Sequence, residues 1–316
     1  MIISASYKTD IPAFYGRWFL NRLDAGHCRM VNPYGGQTYR IDLTRPAVDG
    51  FLFWTKNLGP FLGALDSVAE RGFPFVVQYS VTGLPTTLER SVPAWETAVG
   101  HLALVRGRWG ARAAVWRYDP IALTDVTPPA WHRETFATIA RALRGVTDEV
   151  TVSFLQPYRK TARNLAAAGI AWRDPEVEEK RALLTELAEI AAGEGMALTL
   201  CTQPDLVGTP GTAPARCVDA LRLSDVAGYA VAAREKGNRP GCLCAQSRDI
   251  GDYDSCPHGC VYCYAVADRG TARRRFAAHD PEGEFLVPLP QHPKVPSPPG
   301  ERGTSGGKGN LTDRPS

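Results

Sequence analysis

Short apolar segments alternate along the chain with longer stretches in which apolar residues recur every three or four positions. The short segments, 2–6, 51–54, 74–80, 113–118, 149–155 and 196–202, are rich in Val, Ile, Phe and Tyr and bounded by Gly, Pro or Asp, which predicts strands. The longer stretches predict helices near 11–25, 60–71, 91–108, 130–143, 160–168, 175–194 and 215–223. Asp10 can cap the first helix, Pro12 suits its first turn, and Gly26 can end it. Residues 28–43, with Asn32-Pro33-Tyr34-Gly35-Gly36 in their middle, read as a β-hairpin inserted into this pattern.

Repeated strand–helix units imply a parallel sheet with helices outside it, so the fold class is α/β. About six such units, with no GxGxxG after the first strand, favour a partial or complete (β/α) barrel over a dinucleotide-binding sheet. In such folds the site lies where strands end and loops begin. The exits here are polar or aromatic: Ser4, Ser6, Thr9 and Asp10; Trp54, Thr55, Lys56 and Asn57; Gln78, Tyr79 and Ser80. The later exits bring Arg117, Tyr118 and Asp119; Ser153, Gln156 and Tyr158; Cys201, Thr202 and Gln203. Six such exits in succession predict a lined cavity.

Composition changes this picture little. The 316 residues are 44% hydrophobic, enough for a sizeable core. The N-terminal segment meets a charge at Lys8, too soon for a signal peptide, and no apolar run approaches the roughly 20 residues of a membrane span. The expectation is a soluble, cytoplasmic protein without a membrane partner. Residues 1–286 read as one barrel-like domain that includes the late cysteines. Residues 287–316, rich in Pro, Gly and Ser, read as a disordered tail. The formal net charge is +3, and the tail alone carries +2 of it, so no basic surplus marks a nucleic-acid-binding domain. The run Arg269 to Arg275 contains four arginines. It fits a solvated helix face or a phosphate-contacting one, and leaves a nucleic-acid partner weakly supported.

Cysteine placement carries the chemistry. Of eight cysteines, seven lie from position 201 onward and five fall between Cys242 and Cys263, whereas Cys28 stands alone in an apolar stretch and reads as packing. Clustered cysteines in a reducing compartment point to metal or redox chemistry. The key segment is Cys256-Pro257-His258-Gly259-Cys260-Val261-Tyr262-Cys263. Three thiolates spaced C-x3-C-x2-C can wrap one face of a compact iron–sulfur cluster, which normally takes four. One metal position is then left for another ligand, as a catalytic site requires. The alternative is a zinc ion held by the same three cysteines and His258, a cramped chelate because His258 lies two residues from both Cys256 and Cys260.

The pattern C-x3-C-x-aromatic-C, with Tyr262 as the aromatic, resembles the signature of radical S-adenosylmethionine (radical SAM) enzymes. The resemblance implies a [4Fe–4S] cluster on Cys256, Cys260 and Cys263, and S-adenosylmethionine bound at the fourth iron. It also implies an electron donor whose single electron cleaves that cofactor to a deoxyadenosyl radical, and a partial (β/α)6 barrel. In most members of that superfamily the motif follows the first strand; here it follows the last, as in a circular permutation. Other segments resemble an uncharacterised bacterial family, domain of unknown function 1848: Ser4 to Tyr15, Phe53-Trp54-Thr55-Lys56-Asn57, Trp116-Arg117-Tyr118-Asp119-Pro120, Cys242-Leu243-Cys244 and Ser247 to Tyr253. That resemblance spans about 1–285. Members usually carry two arginines where this chain has Tyr7 and Lys8.

Three further residues are candidates for catalysis. Arg117 and Asp119 share one face of a strand by alternation and fit either an ion pair at the cavity mouth or a contact to substrate or cofactor. Lys56 is a candidate provided burial depresses its pKa. Cys201, Cys217, Cys242 and Cys244 are the complement of a closed metal site, either a second iron–sulfur cluster or zinc. The expected function is an iron–sulfur enzyme of radical SAM type acting on an unknown substrate. Its rival is a zinc- or Fe–S-stabilised binding protein without radical chemistry.

Overall fold

The six apolar segments become neighbouring strands of one parallel sheet. The computed structural model describes residues 1–32, 35–156, 158–237 and 239–289. Strands β1 (Ile2–Ala5), β4 (Gly50–Thr55), β5 (Phe75–Ser80), β6 (Ala114–Ile121), β7 (Glu149–Phe154) and β8 (Ala197–Leu200) lie side by side in chain order. Each adjacent pair is parallel, and helices make the return crossings. Two three-residue strands that the sequence does not reveal extend the edges. β9 (Thr212–Pro214) adds to β8, and β10 (Ser247–Asp249) adds to β1, giving the order β10-β1-β4-β5-β6-β7-β8-β9. No ladder joins β10 to β9 among the described residues. The expectation of a barrel therefore stands at an eight-stranded parallel α/β sheet, without closure.

Side-chain alternation divides the sheet into two faces. One face carries Ile3, Ala5, Phe51, Phe53, Phe75, Val77, Trp116 and Tyr118 into the main core beneath the helices. These helices are α1 (Ile11–Phe14), α2 (Gly16–Asp24), α3 (Leu62–Glu70), α4 (Trp95–Trp109), α5 (Pro129–Ala142) and α7 (Val177–Gly193), whereas α6 (Arg159–Ala167) packs Leu165 into a third, smaller core with Leu88, Leu155, Val261 and Tyr262. Phe19 sits among Phe51, Phe53 and Phe61 with ring centroids 5.3–5.5 Å away. Each buried aromatic of this kind stabilises the fold by about 1.5–3 kcal/mol. The other face carries Ile2, Leu52, Val76 and Val115 against Val218, Leu223 and Cys244. Here α8 (Ala220–Ala227) covers the lower end, and its buried Arg222 bridges Asp148 at 2.9 Å and Glu149 at 2.7 Å.

Several boundaries differ from the pattern, each for a local reason. The helix expected over 11–25 breaks at Tyr15, whose φ of −126° and ψ of 22° are not helical. Asp10 nevertheless caps α1 through Ala13, and Gly26 follows α2 with a φ of +71°. Helix α4 begins at Trp95 instead of residue 91, because the Ser91 carbonyl and hydroxyl are taken by His258 and Arg269. The helix expected near 215–223 begins only at Ala220, so Cys217 lies outside it. Residues after β9 continue beside β8, with the Ala215 amide donating to Leu200, and Asp219 caps α8 instead. The hairpin appears as β2 (His27–Val31) paired antiparallel with β3 (Thr38–Asp42). Leu286 and Val287 are buried in the main core, so packing runs one residue into the segment read as tail; residues 290–316 lie outside the described ones.

Candidate metal centre

The inner face of the sheet changes character along the strands. It runs Ile2, Ser4, Ser6 on β1 and just beyond it; Leu52, Trp54, Lys56 on β4 and just beyond it; Val76, Gln78, Ser80 on β5; and Val115, Arg117, Asp119 on β6. Apolar side chains at the strand starts give way to polar ones at the exits, and a cavity of about 510 Å³ opens there. All six predicted exits contribute to its lining, through Ser6, Lys56, Ser80, Arg117, Ser153 and Cys201 among others. Tyr79 and Tyr118 do not. By alternation they enter the helix-covered core, and Asn57 closes a turn by accepting from the Gly59 amide.

The cysteine loop lies over this cavity because β10 pairs with β1. Asp249, the last residue of β10, accepts from the Ser4 and Ser6 hydroxyls at 3.0 and 2.8 Å and from the amides of Tyr7 and Gly251. A Cβ at Gly251 would stand 2.0 Å from the Ser6 hydroxyl, so the chain can leave β10 this closely only with glycine there. The loop then packs on the segment after β5. The Val261 amide donates to the Leu88 carbonyl, and Glu89 forms a bridge with Cys260. Gly259 has a φ of +77°, and a Cβ there would lie 2.5 Å from Arg269 Nε. Cys256, Cys260 and Cys263 are all free thiols and all line the cavity.

Their surroundings are built for sulfur. Backbone amides of His258 and Asp10 donate to the Cys256 sulfur, and the Ala265 amide donates to Cys263 at 3.4 Å. Burial raises all three thiols above the ordinary cysteine value, with neighbouring negative charge adding to the rise at Cys256 and Cys260. As free thiols they stay protonated, and a bound metal would release those protons. Beside Cys260, Lys56 Nζ meets Glu89 Oε1 at 2.7 Å, and Glu89 also accepts from the hydroxyls of Thr82 and Tyr262. Burial pulls the Lys56 ammonium down, but Glu89 and then Cys260 outweigh it, and its pKa is raised. The depressed lysine that would make Lys56 a base is therefore not found. Glu89 is a site residue the sequence did not mark, because its place depends on a bridge to Cys260, remote in the chain.

His258 is engaged elsewhere. Its Nε2 lies 2.8 Å from Asp10 Oδ2, its Nδ1 lies 2.8 Å from the Ser91 carbonyl, and its ring packs edge-on against Phe14. Asp10, besides capping α1, accepts from the Lys56 amide at 2.7 Å, so one carboxylate ties the β1 exit, the β4 exit and the cysteine loop together. This spends the histidine that the zinc alternative required. Among the described residues no three His, Cys, Asp or Glu side chains converge as one metal ion would need. A tetrahedral ion holds thiolates roughly 4 Å apart, given bonds of about 2.3 Å, whereas a cubane spreads its own to roughly 6–7 Å.

The other wall of chemistry lies around Arg117. This buried guanidinium pairs with Asp119, which also accepts from Ser153, donates to Cys217 Sγ at 3.2 Å, and faces the Trp54 ring at 5.0 Å. Burial opposes its charge, but Cys217, Asp119 and Cys201 together raise its pKa well above the ordinary arginine value. Cys201 and Cys217 have sulfurs 3.5 Å apart, and Cys242 and Cys244 line the same cavity. The arginine run forms α9 (Arg269–Ala277). Arg275 pairs with Asp252 and Arg269 reaches Ser91, so two of its four arginines brace the cysteine loop.

A family model for a domain of unknown function, DUF1848, matches residues 2–265. The chain belongs to that family. The match begins at β1 and ends two residues past Cys263, so it takes in the whole sheet and the cysteine loop of this DUF1848 protein and stops before α9. No curated protein matches the chain. Among solved structures it is similar to a crystal structure of D-hydantoinase, with 11% identity and a TM-score of 0.30 over 62% of this chain. The chain spans 38% of that enzyme's length, and the likeness is too slight to bear on fold or chemistry. No helix among the described residues of the DUF1848 chain is long and apolar enough to cross a membrane.

Proposed function

We propose that this DUF1848 protein is an iron–sulfur enzyme of radical SAM type. The observation that carries the reading is the position of the cysteine loop. The strand that leads into it, β10, is last in the chain but first in the sheet, adjacent to β1 at the edge. A motif set beside the first strand of a parallel sheet in space matches the arrangement of most members of that superfamily, even though here it follows the last strand in sequence. Three thiols and no fourth from the same loop open onto a cavity lined by strand exits.

The donor set fits the cluster. Cys256, Cys260 and Cys263 would hold it, and backbone amides already aimed at two of these sulfurs would remain as hydrogen bonds to thiolate. When bound, a [4Fe–4S] cluster with three protein thiolates supplies one iron for the amino and carboxylate groups of S-adenosylmethionine and an electron for its cleavage. The chain's own residues have separate tasks. Lys56 and Glu89 pair beside Cys260, where the Glu89 charge outweighs that of Lys56, so the pair serves to fix the loop against the β4 exit. Tyr262 fills the third core with Val261 and Leu88 and so fixes the loop. Arg117 and Asp119, at the polar end of the inner face, are positioned to meet a polar or anionic substrate. The reading also calls for an electron donor and a reducing compartment such as the cytoplasm.

Anaerobic reconstitution with iron and sulfide, followed by a S-adenosylmethionine cleavage assay under reductant, tests this. A brown protein absorbing at about 400 nm that releases deoxyadenosine and methionine supports it. A colourless zinc protein, or a cluster protein that undergoes reversible reduction without touching S-adenosylmethionine, would overturn it.

A further inference from the structure

We infer that Cys201 and Cys217 form a redox-active dithiol on the cavity wall, which exchanges electrons with a small-molecule disulfide and closes to a Cys201–Cys217 bond. Cys217 lies sixteen residues further along the chain, yet the two sulfurs are 3.5 Å apart. Cys201 directly follows β8. The chain after β9 continues beside that strand, with the Ala215 amide donating to the Leu200 carbonyl at 3.0 Å, and this sets Cys217 alongside the β8 exit. Both are free thiols that line the cavity. Their separation is well short of the roughly 6–7 Å between cubane thiolates, so it does not suit the second cluster expected of the late cysteines. It does suit a disulfide. Bonded sulfurs lie about 2 Å apart, and a shift of roughly 1.5 Å is within the reach of side-chain rotation.

Access gives the two sulfurs different parts. Cys201 is half-buried, with the Thr202 hydroxyl at 3.2 Å and Arg239 Nη2 at 3.8 Å from its sulfur. Its thiolate attacks one sulfur of the incoming disulfide, forms a mixed disulfide and releases one thiol. Cys217 is buried behind it, with Arg117 Nη1 at 3.2 Å as a donor to the thiolate that forms there. That thiolate attacks Cys201 Sγ, closes the protein disulfide and releases the second thiol. The two thiol protons of the protein end on the two released thiols, and two electrons pass from the dithiol to the small disulfide. Arg117 keeps Asp119 and Gln78 throughout, and Arg239 keeps Gln156, so neither cation relies on the sulfurs. The hydrogen bond with Cys201 lowers the Cys217 pKa, but its bond with Cys244 and burial outweigh this and lift it to about 11. The pair therefore rests as the dithiol. Neither exchange step involves iron or S-adenosylmethionine.

The test equilibrates the anaerobically reconstituted full chain with graded ratios of oxidised to reduced glutathione, starting from both the dithiol and the disulfide. Acid quenching, alkylation of free thiols and tryptic digestion follow. Arg216 lies between the two cysteines, so cleavage puts them on separate peptides. As the glutathione becomes oxidised, the wild type should lose both alkylated peptides together and gain one linked species, two hydrogens lighter than its reduced parts. Cys217→Ser should stop at a glutathione adduct on Cys201, and Cys201→Ser should leave Cys217 reduced, with folding followed by circular dichroism. The linked species should also form in the Cys256→Ala/Cys260→Ala/Cys263→Ala variant, whose loss of iron bears on the cluster loop alone. Three results would each overturn the dithiol: both cysteines still alkylated in fully oxidised glutathione, a link from Cys201 to Cys242 or Cys244 instead, or iron or zinc retained by the late cysteines of the triple variant.

Discussion

Lys56 and Glu89 form a buried ion pair 2.7 Å long, directly beside Cys260. Its carboxylate takes further hydrogen bonds from Thr82 and Tyr262, so the pair fixes the loop after β5, the β4 exit and the cysteine loop at one point. Removing one partner strands a buried charge, which costs about 3–5 kcal/mol, whereas replacing both by apolar groups costs far less. Glu89→Leu should therefore destabilise the protein by about 3 kcal/mol or more, with Lys56→Met/Glu89→Leu recovering most of the loss in urea denaturation. Single and double variants of equal stability would show that the pair does not act as one unit.

His132 gives the protein a specific acid sensitivity. Its Nε2 faces the Ala122 carbonyl at 3.0 Å and therefore donates, leaving Nδ1 to accept from the Tyr118 hydroxyl at 2.8 Å. Burial lowers its pKa from 6.5 to about 4, against a smaller opposing effect of the Ala122 carbonyl. The folded state thus favours the neutral ring. The stabilisation is complete above the unfolded value of 6.5 and is lost as pH falls toward about 4. Over that window it amounts to about 3 kcal/mol. His132→Gln should be less stable than wild type at neutral pH, and the gap should close near pH 4.5. Parallel stability curves across the range would contradict this.

Much of the fold could be read from the chain because the strands are local patterns. Each of the six central strands is an apolar run bounded by Gly, Pro or Asp, and the inward-facing polar residues at their ends announced the cavity. The edges could not be read. β9 and β10 are three residues each and exist only because β8 and β1 offer free edges to them. The start of α4 was hidden for a similar reason, since Ser91 is held out of the helix by His258 and Arg269, far away in sequence. The cysteine triplet announced itself by spacing. Glu89 had no spacing to announce it, and the opposed charges that raise the Lys56 pKa became visible only with Glu89 in place.

Gly259 should be as necessary as the cysteines around it. Its φ of +77° disfavours any side chain, and the 2.5 Å approach of an added Cβ to Arg269 Nε adds a clash. The left-handed conformation alone costs about 1–2 kcal/mol for alanine. Gly259→Ala should lower the melting temperature and reduce iron uptake in the Cys256 loop, while Arg269→Ala in the same background restores part of the uptake by clearing the contact. Wild-type iron content in Gly259→Ala would mean that the loop tolerates another path.

Arg117 decides between the two roles that the sequence left open for it and Asp119. The guanidinium meets Asp119 and Cys217 with separate nitrogens, Nη2 and Nη1, reaches Gln78 at 3.4 Å from Nη1, and has its carbon 5.0 Å from the Trp54 ring centroid. A lysine ammonium is a single point and cannot span that set. If the pair serves the fold alone, Arg117→Lys should lose about 1–2 kcal/mol of stability and little else, because the charge opposite Asp119 survives. If Arg117 also receives the substrate, Arg117→Lys should fold, bind its full iron and still lose turnover by about 100-fold, through the lost fork of donors. Arg117 lines the cavity with Nη2 on Asp119 and Nη1 on Cys217 and Gln78, so a substrate contact would have to displace one of these partners, and the two readouts together separate the outcomes. Asp119→Asn separates the cases further. It keeps the shape of the partner but removes the charge that orients Arg117, so turnover should fall with the iron count unchanged. Full turnover in both variants would reduce the pair to a structural ion pair.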